Sequence, residues 1–171
     1  MRSNLETTSS STGATTCCYT LAVDGSWGRR TGRMGGATII RGPDGSWYSA
    51  VLESKVVGNA FRSELWEVEL GLGHAWNIRI RSLGCTSDRL DIVQVLGDSR
   101  SLDTYWDREL ILEVREWLRN DWQVSFTHVP REKNNAADFL VRKASREGSS
   151  FQIWGQPPHA IYASLYLDVV V

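Results

Sequence analysis

The chain of 171 residues fits one domain with tails, and its 42% hydrophobic residues are ordinary for a globular protein. A formal charge of -1 excludes an overall basic field, so any nucleic acid must be bound by local positive charges. Of the 19 basic residues, all except Lys55, Lys133 and Lys143 are arginines. The three cysteines, Cys17, Cys18 and Cys85, lack the spacing of a zinc site, and no stretch reaches the roughly 18 apolar residues of a membrane helix, which predicts a soluble intracellular protein.

The N-terminal segment differs in composition from the rest of the chain. Nine of its first 16 residues are serine or threonine, and there is little apolar surface to bury. Such a segment cannot offset the entropy of ordering, so we expect residues 1–18 to form a disordered tail. The composition leaves open whether this tail carries an address, and it is compatible with a nuclear or a cytoplasmic location.

Three strands are predicted after the tail. The apolar run at 19–23 is typical of a buried strand, and Asp24-Gly25-Ser26 after it is a turn signal. Further strands are predicted at 37–41 and 47–53, with a tight turn at Pro43-Asp44-Gly45 between them. The three strands should form an antiparallel meander.

The pattern then changes to a helical period. Apolar residues recur at spacings of four and three from Phe61 to Ala75, which predicts a helix that Asn59 caps. The elements predicted next are a strand at 80–85, a short helix around 92–96, a helix at 106–118, a strand at 124–129, and a helix at 135–146 capped by Asn134. Strands separated by helices return by crossovers, so the expected fold is a mixed α/β sheet with helices on its faces.

Four carboxylates lie beside the predicted strand ends and helix faces: Asp24, Glu64, Asp88 and Asp138. Each has an ordinary explanation when it is taken alone. Asp24 fits a solvated turn, and Glu64 fits the solvated flank of a helix. Asp88 fits a helix cap, and Asp138 fits the positive end of a helix dipole. Position in the sequence alone therefore leaves a purely structural role open for all four.

Four motifs together resemble the plant ribonuclease H-like domain related to the reverse-transcriptase-associated nuclease. They are VDGS (23–26), SELWEV (63–68), TSD (86–88) and HVPREKNNAADFLVRKA (128–144). The resemblance covers about residues 19–147, and FQIWGQPPH (151–159) carries it into a C-terminal extension at 148–171. It implies a ribonuclease H-like fold, with a mixed five-stranded sheet in the order 3-2-1-4-5 and helices on both faces.

The resemblance also implies a metal site. Asp24 would end the central strand, Glu64 would reach in from the first helix, and Asp88 and Asp138 would complete one cleft. Hard oxygen ligands of this kind suit two Mg²⁺ ions, with Mn²⁺ as a substitute, about 4 Å apart. Asp24 would then be the ligand that both ions share. Glu64 and Asp88 would serve one ion and orient the attacking water, while Asp138 would serve the other ion.

Further site residues follow from the same resemblance. His128, ten residues before Asp138, and Asn134, four before it, match the spacing of a ribonuclease H active-site loop. This implies proton transfer or product release for His128, although Val129-Pro130-Arg131 replaces the glycine-rich loop of the bacterial enzymes. The residues predicted to contact the substrate, partly through its phosphates, are Asn134, Gly25, Ser26, Arg29 and Arg30; for the two arginines an ordinary solvated loop stays open as the alternative.

The favoured interpretation is a monomeric endonuclease that recognises an RNA/DNA hybrid by its shape and its 2′-hydroxyls, and that cuts the RNA strand. Two alternatives stay open. Domains of this kind descend from retroelements, so the chain could be a catalytically silent module that binds nucleic acid or a partner. A drifting pseudoenzyme should lose a carboxylate early, which argues against this alternative. A nuclease of the same fold could also act on single-stranded nucleic acid or on a DNA end.

Overall fold

The computed structural model describes residues 18–55, 58–97, 106–147 and 150–169, so the predicted tail up to Cys17 lies outside the described residues. In chain order the elements are β1 (Tyr19–Trp27), β2 (Met34–Arg41), β3 (Trp47–Lys55), α1 (Ala60–Asn77), β4 (Ser82–Ser87), α2 (Leu90–Gly97), α3 (Arg108–Leu118), β5 (Gln123–His128), α4 (Asn135–Glu147), β6 (Gln152–Trp154) and α5 (Tyr162–Val169). Within these ranges, no helix is long and apolar enough to cross a membrane.

One mixed sheet organises the chain, with the strand order β5-β4-β1-β2-β3-β6. The first three strands pair antiparallel, whereas β1 with β4 and β4 with β5 pair parallel. The predicted order of five strands and the predicted mixture of pairings are therefore confirmed. A sixth strand, β6, comes from the C-terminal extension and pairs antiparallel with β3.

Two apolar layers cover the two faces of the sheet. Leu21 and Val23 of β1 lie in one core with Leu65 and Leu72 of α1 and with residues of α2 and α3. Ala37 and Ile39 of β2 lie in the other core with residues of α4 and Ile161. Alternate residues of a strand point to opposite faces, and Ala22 of β1 packs against the second core, so β1 serves both cores.

The C-terminal extension contributes to this architecture through Asp168 of α5. The Asp168 carboxylate accepts hydrogen bonds from the backbone N–H groups of Asn135 (2.8 Å) and Ala136 (2.9 Å), and it pairs with Arg41 of β2 at 3.5 Å. A carboxylate at this place satisfies amide groups that the first turn of α4 leaves unpaired. The extension thereby fixes the start of the helix that carries Asp138.

Three local predictions need correction. The strand predicted to stop at Val23 continues to Trp27, because Asp24, Gly25 and Ser26 pair with β2 instead of turning. The helix predicted from residue 106 begins at Arg108, and Trp106 is 100% exposed. Asn134 does not cap α4 through its side chain: its Oδ1 has no hydrogen-bond partner among the described residues, and its Nδ2 donates to the carbonyl oxygen of Val23.

Candidate active site

Asp24 lies on the central strand, just beyond the last parallel pair between β1 and β4, which is Ala22 with Thr86. Its side chain is nearly buried, with the residue 6% exposed. Burial and, in decreasing order of effect, the neighbouring carboxylates of Glu64, Asp88 and Asp138 together raise the pKa of Asp24 from 3.8 to about 8. A carboxylate in this environment is stabilised by any cation that binds beside it.

Glu64 is held in place by two hydrogen bonds from different strands. Its Oε2 accepts from the backbone N–H of Gly25 at 2.7 Å, and its Oε1 accepts from the hydroxyl of Ser87 at 2.5 Å. The residue is fully buried, and burial raises its pKa from 4.5 to about 7, although both hydrogen bonds act in the opposite direction. Glu64 therefore links α1 to the ends of β1 and β4.

Asp88 follows β4 directly and completes a group of three carboxylates. One oxygen from each of Asp24, Glu64 and Asp88 lies within 4.8 Å of the other two. Three hard oxygen donors at this separation, two of them on buried residues, fit a divalent cation such as Mg²⁺ or Mn²⁺. Without a cation the group is electrostatically unfavourable, because the charge of Asp88 raises the pKa of both Asp24 and Glu64, and the charge of Glu64 raises that of Asp24. The predicted convergence is thus found for three of the four carboxylates.

Asp138, the fourth predicted ligand, lies beside this group and is paired with two arginines. Its Oδ2 lies 2.7 Å from Nη2 of Arg142, one helical turn later, and its Oδ1 lies 3.5 Å from Nη2 of Arg131. The negative charge of Asp138 raises the pKa of Asp24. Asp138 therefore acts on the group electrostatically, and in this structure its own charge is balanced by arginine.

The loop between β5 and α4 places two more predicted residues near the carboxylates. His128 is exposed at the end of β5, and its Nε2 lies 3.2 Å from the carbonyl oxygen of Asp88, which requires that nitrogen to carry the proton. Asn134 is only 1% exposed, and it ties the start of α4 to β1. Direct contact of Asn134 with a substrate stays a prediction.

The other predicted contact residues lie at the end of β1 and in the turn after it. Arg29 and Arg30 are exposed in this turn, and Gly25 and Ser26 are half-buried. A groove of about 280 Å³ lies between the turn and α4; it is lined by Ser26, Trp27, Gly28, Thr31, Arg33, Arg142 and Arg146. Three arginines therefore border a groove next to the helix that carries Asp138.

Glu67 is a residue that the sequence patterns did not single out. It is fully buried, and neither of its carboxyl oxygens has a hydrogen-bond partner among the described residues. It occupies the space that a side chain on Gly36 would take, since a Cβ built there would collide with the Glu67 carboxyl group. Burial raises the pKa of Glu67 well above 4.5, and the charges of Glu53 and Glu64 raise it further. Its position three residues after Glu64, on the same helix face, was the available signal.

Glu67 should make the cation-free protein less stable as the pH rises. The folded protein retains the Glu67 proton after the unfolded chain has lost it near pH 4.5, so the free energy of unfolding falls above that pH. Glu67→Gln should reduce this fall by on the order of 1 kcal/mol or more between pH 5 and pH 8, as expected for a buried group without a partner. Urea unfolding at both pH values measures it. The exposed Glu109→Gln is the matched control, and equal pH profiles for the two variants would contradict the prediction.

Comparisons with known proteins agree with this arrangement. The model of the reverse transcriptase-like family matches residues 22–144. A candidate ribonuclease H protein of Arabidopsis thaliana is 27% identical over 147 residues, which are 86% of this chain and 24% of that protein. The chain thus spans about a quarter of the length of this curated relative.

Solved structures share the fold at low sequence identity. RNase H1 of Halobacterium salinarum superposes with a TM-score of 0.70 at 19% identity, over 75% of this chain and 98% of that one. LC11-RNase H1, which was isolated from compost and solved in complex with an RNA/DNA hybrid, has a TM-score of 0.70 at 17% identity, over 76% of this chain and 98% of that one. At these identities the likeness establishes the fold.

Proposed function

This chain belongs to the reverse transcriptase-like family and has the ribonuclease H fold, and on that premise we propose that it hydrolyses the RNA strand of RNA/DNA hybrids with the help of divalent cations. The observation that carries the proposal is the meeting of Asp24, Glu64 and Asp88, each with an oxygen within 4.8 Å of the others. They come from a central strand, a helix and a strand end that are far apart in the sequence. The LC11 relative, solved with an RNA/DNA hybrid, supports the substrate class.

The proposed roles of the carboxylates are those that the family resemblance implies, and the surroundings of Asp24 support them. Asp24 is central, because its pKa responds to all three of the other carboxylates, so it is the candidate for the ligand shared by two Mg²⁺ ions. Glu64 and Asp88 would hold the first ion and orient the attacking water, and Asp138 would hold the second ion once its pair with Arg131 opens. When bound, the two cations would supply Lewis-acid activation of water and charge stabilisation at the departing 3′ oxygen.

His128 is proposed to assist the reaction from the edge of the site. It is exposed, and its ring lies against the carbonyl of Asp88. An imidazole here can carry a proton toward or away from the leaving oxygen, or help the cleaved strand to depart. The half-buried Gly25 and Ser26 and the exposed Arg29 and Arg30 would contact the backbone of the hybrid beside the cleft.

The test is cleavage of an end-labelled RNA strand in an RNA/DNA hybrid, beside matched RNA and DNA duplexes and the same RNA as a single strand. We expect cleavage of the hybrid alone, with Mg²⁺ or Mn²⁺ and not with a chelator, because the carboxylates need cations and the hybrid is recognised by its shape. Cation-independent cleavage would contradict the mechanism. Hybrid binding without cleavage would return the chain to the silent-module alternative, and preferential cleavage of the single strand would change the substrate class.

A further inference from the structure

The side chain of Arg131 reaches two carboxylates that belong to different elements. Its Nε lies 3.9 Å from Oδ2 of Asp88, which follows β4, and its Nη2 lies 3.5 Å from Oδ1 of Asp138 on α4. One guanidinium thus lies between two groups that the proposed function assigns to two different cations. The positive charge also lies near Asp24, where it lowers a pKa that the carboxylates raise.

The backbone of Arg131 is fixed by hydrogen bonds, whereas its side chain is largely exposed. The amide N–H of Val129 donates to the carbonyl oxygen of Ser87 at 2.9 Å, which ties the end of β5 to β4. The N–H groups of Lys133 and Asn134 close a short turn on Pro130 and Arg131. The Arg131 side chain itself is 71% exposed, so its two ion pairs are open to water and can be exchanged for other contacts.

We propose that Arg131 acts as a built-in counter-cation of the cation-free site, and that its ion pairs with Asp88 and Asp138 and the binding of divalent cations by these carboxylates exclude each other. This inference rests on the proposed function and concerns its regulation by cation concentration. A guanidinium and a divalent cation cannot both bind tightly to the same carboxylates, because their positive charges repel each other at short range. The two ion pairs stabilise the cation-free site. They must break when the cation binds, so they weaken cation binding by the same free energy.

Arg142 differs from Arg131 in the carboxylates with which it pairs. Of the carboxylates among the described residues, Arg142 pairs with Asp138 alone, at 2.7 Å and from one turn along the same helix, so it can remain paired through one oxygen while the other oxygen takes a cation. Arg131 contacts both carboxylates from outside the helix. Removing Arg131 should therefore change the binding of the cation directly, since it alone connects the two ligands among the described residues.

The experiment is a thermal-unfolding titration of the full chain with Mg²⁺, and in parallel with Mn²⁺, at low ionic strength. Compared with the parent, Arg131→Ala should have a lower Tm without cation and a midpoint concentration of Mg²⁺ about 3-fold to 10-fold lower. At saturating Mg²⁺ the two proteins should converge in Tm. Arg131→Lys keeps the charge but cannot pair with both carboxylates through separate nitrogens. Its Mg²⁺ midpoint should lie between those of the parent and Arg131→Ala.

The control is Arg119→Ala, which removes an exposed arginine that pairs with Glu116 on α3. It should leave the Mg²⁺ midpoint within twofold of the parent. An Arg131→Ala midpoint that is unchanged or higher, or an absence of Mg²⁺ binding in both proteins, overturns the inference. Because the titration needs no substrate, it separates the two proposals: a parent that cuts hybrids while Arg131→Ala binds Mg²⁺ unchanged leaves the proposed function standing and removes this inference alone.

Discussion

Asp24→Asn should abolish hybrid cleavage, with a loss of about 10³-fold or more, while the cation-free protein becomes more stable. Asp24 is the nearly buried carboxylate whose pKa is raised to about 8 by burial and by the three other carboxylates. Asparagine keeps the shape but removes the charge on which cation binding depends. Single-turnover cleavage at saturating Mg²⁺ measures the first effect, and urea unfolding in a chelator measures the second.

The stability gain of Asp24→Asn should depend on pH with a definite sign. The unfolded aspartate ionises near 3.8 and the folded one near 8, so the parent loses stability as the pH rises between these values. The variant should therefore gain most at pH 8 and little at pH 4. Asp121→Asn, which changes an exposed aspartate in the turn before β5, should alter neither activity nor stability. A variant that retains cleavage would contradict the proposed ligand role.

The loss of activity in Asp24→Asn can be compared with that in His128→Ala. A proton-transfer group is worth about 10²-fold to 10⁴-fold, whereas a shared cation ligand supports the whole site. His128→Ala should thus be less damaged than Asp24→Asn. A loss in both single-turnover and steady-state rates would indicate proton transfer, and a loss in the steady state alone would indicate product release. Unchanged rates would leave His128 with a structural role.

Gly25→Ala should lower cleavage by about 100-fold and reduce the free energy of unfolding by about 1–3 kcal/mol. A Cβ at Gly25 would lie 2.5 Å from the backbone nitrogen of Glu64 and 2.6 Å from the carbonyl carbon of Ser63. Both obstacles are backbone, so α1 itself must move away from β1. That movement would break the hydrogen bond from Gly25 to the Glu64 carboxylate and separate Glu64 from Asp24.

The measurement for Gly25→Ala combines single-turnover cleavage, urea unfolding and the Mg²⁺ midpoint in thermal unfolding. Gly97→Ala is the matched control, because a Cβ at Gly97 meets nothing within 4 Å and alanine favours a helix. We expect the control to keep full activity. If Gly25→Ala cleaves as fast as the parent, the close approach of β1 and α1 does not set the geometry of the carboxylates.

The elements of this fold were predictable wherever a single segment carries its own pattern. The spacing from Phe61 to Ala75 predicted α1, and Asn59 caps it, with Oδ1 accepting from the backbone N–H of Arg62 at 2.8 Å. The alternation of strands and helices predicted a mixed sheet, and the family resemblance implied the order of its five strands. The sixth strand has only three residues, and it exists because β3 offers it an edge, so its own sequence carries too little signal.

The residues of the site could be identified from local motifs, whereas their contacts depend on groups that are distant in the sequence. The sequence by itself determined which carboxylates to consider, because the motifs around Asp24, Glu64, Asp88 and Asp138 have a recognisable order. Only the tertiary structure decided what each one contacts: Glu64 receives hydrogen bonds from Gly25 and Ser87, and Asp138 is paired with arginines. It also separated Glu64 from Glu67, which share a helix face but differ in that Glu67 finds no partner among the described residues. The physical reason is that periodicity specifies which face of a helix is buried, whereas charge balance in a buried site depends on groups that only folding brings together.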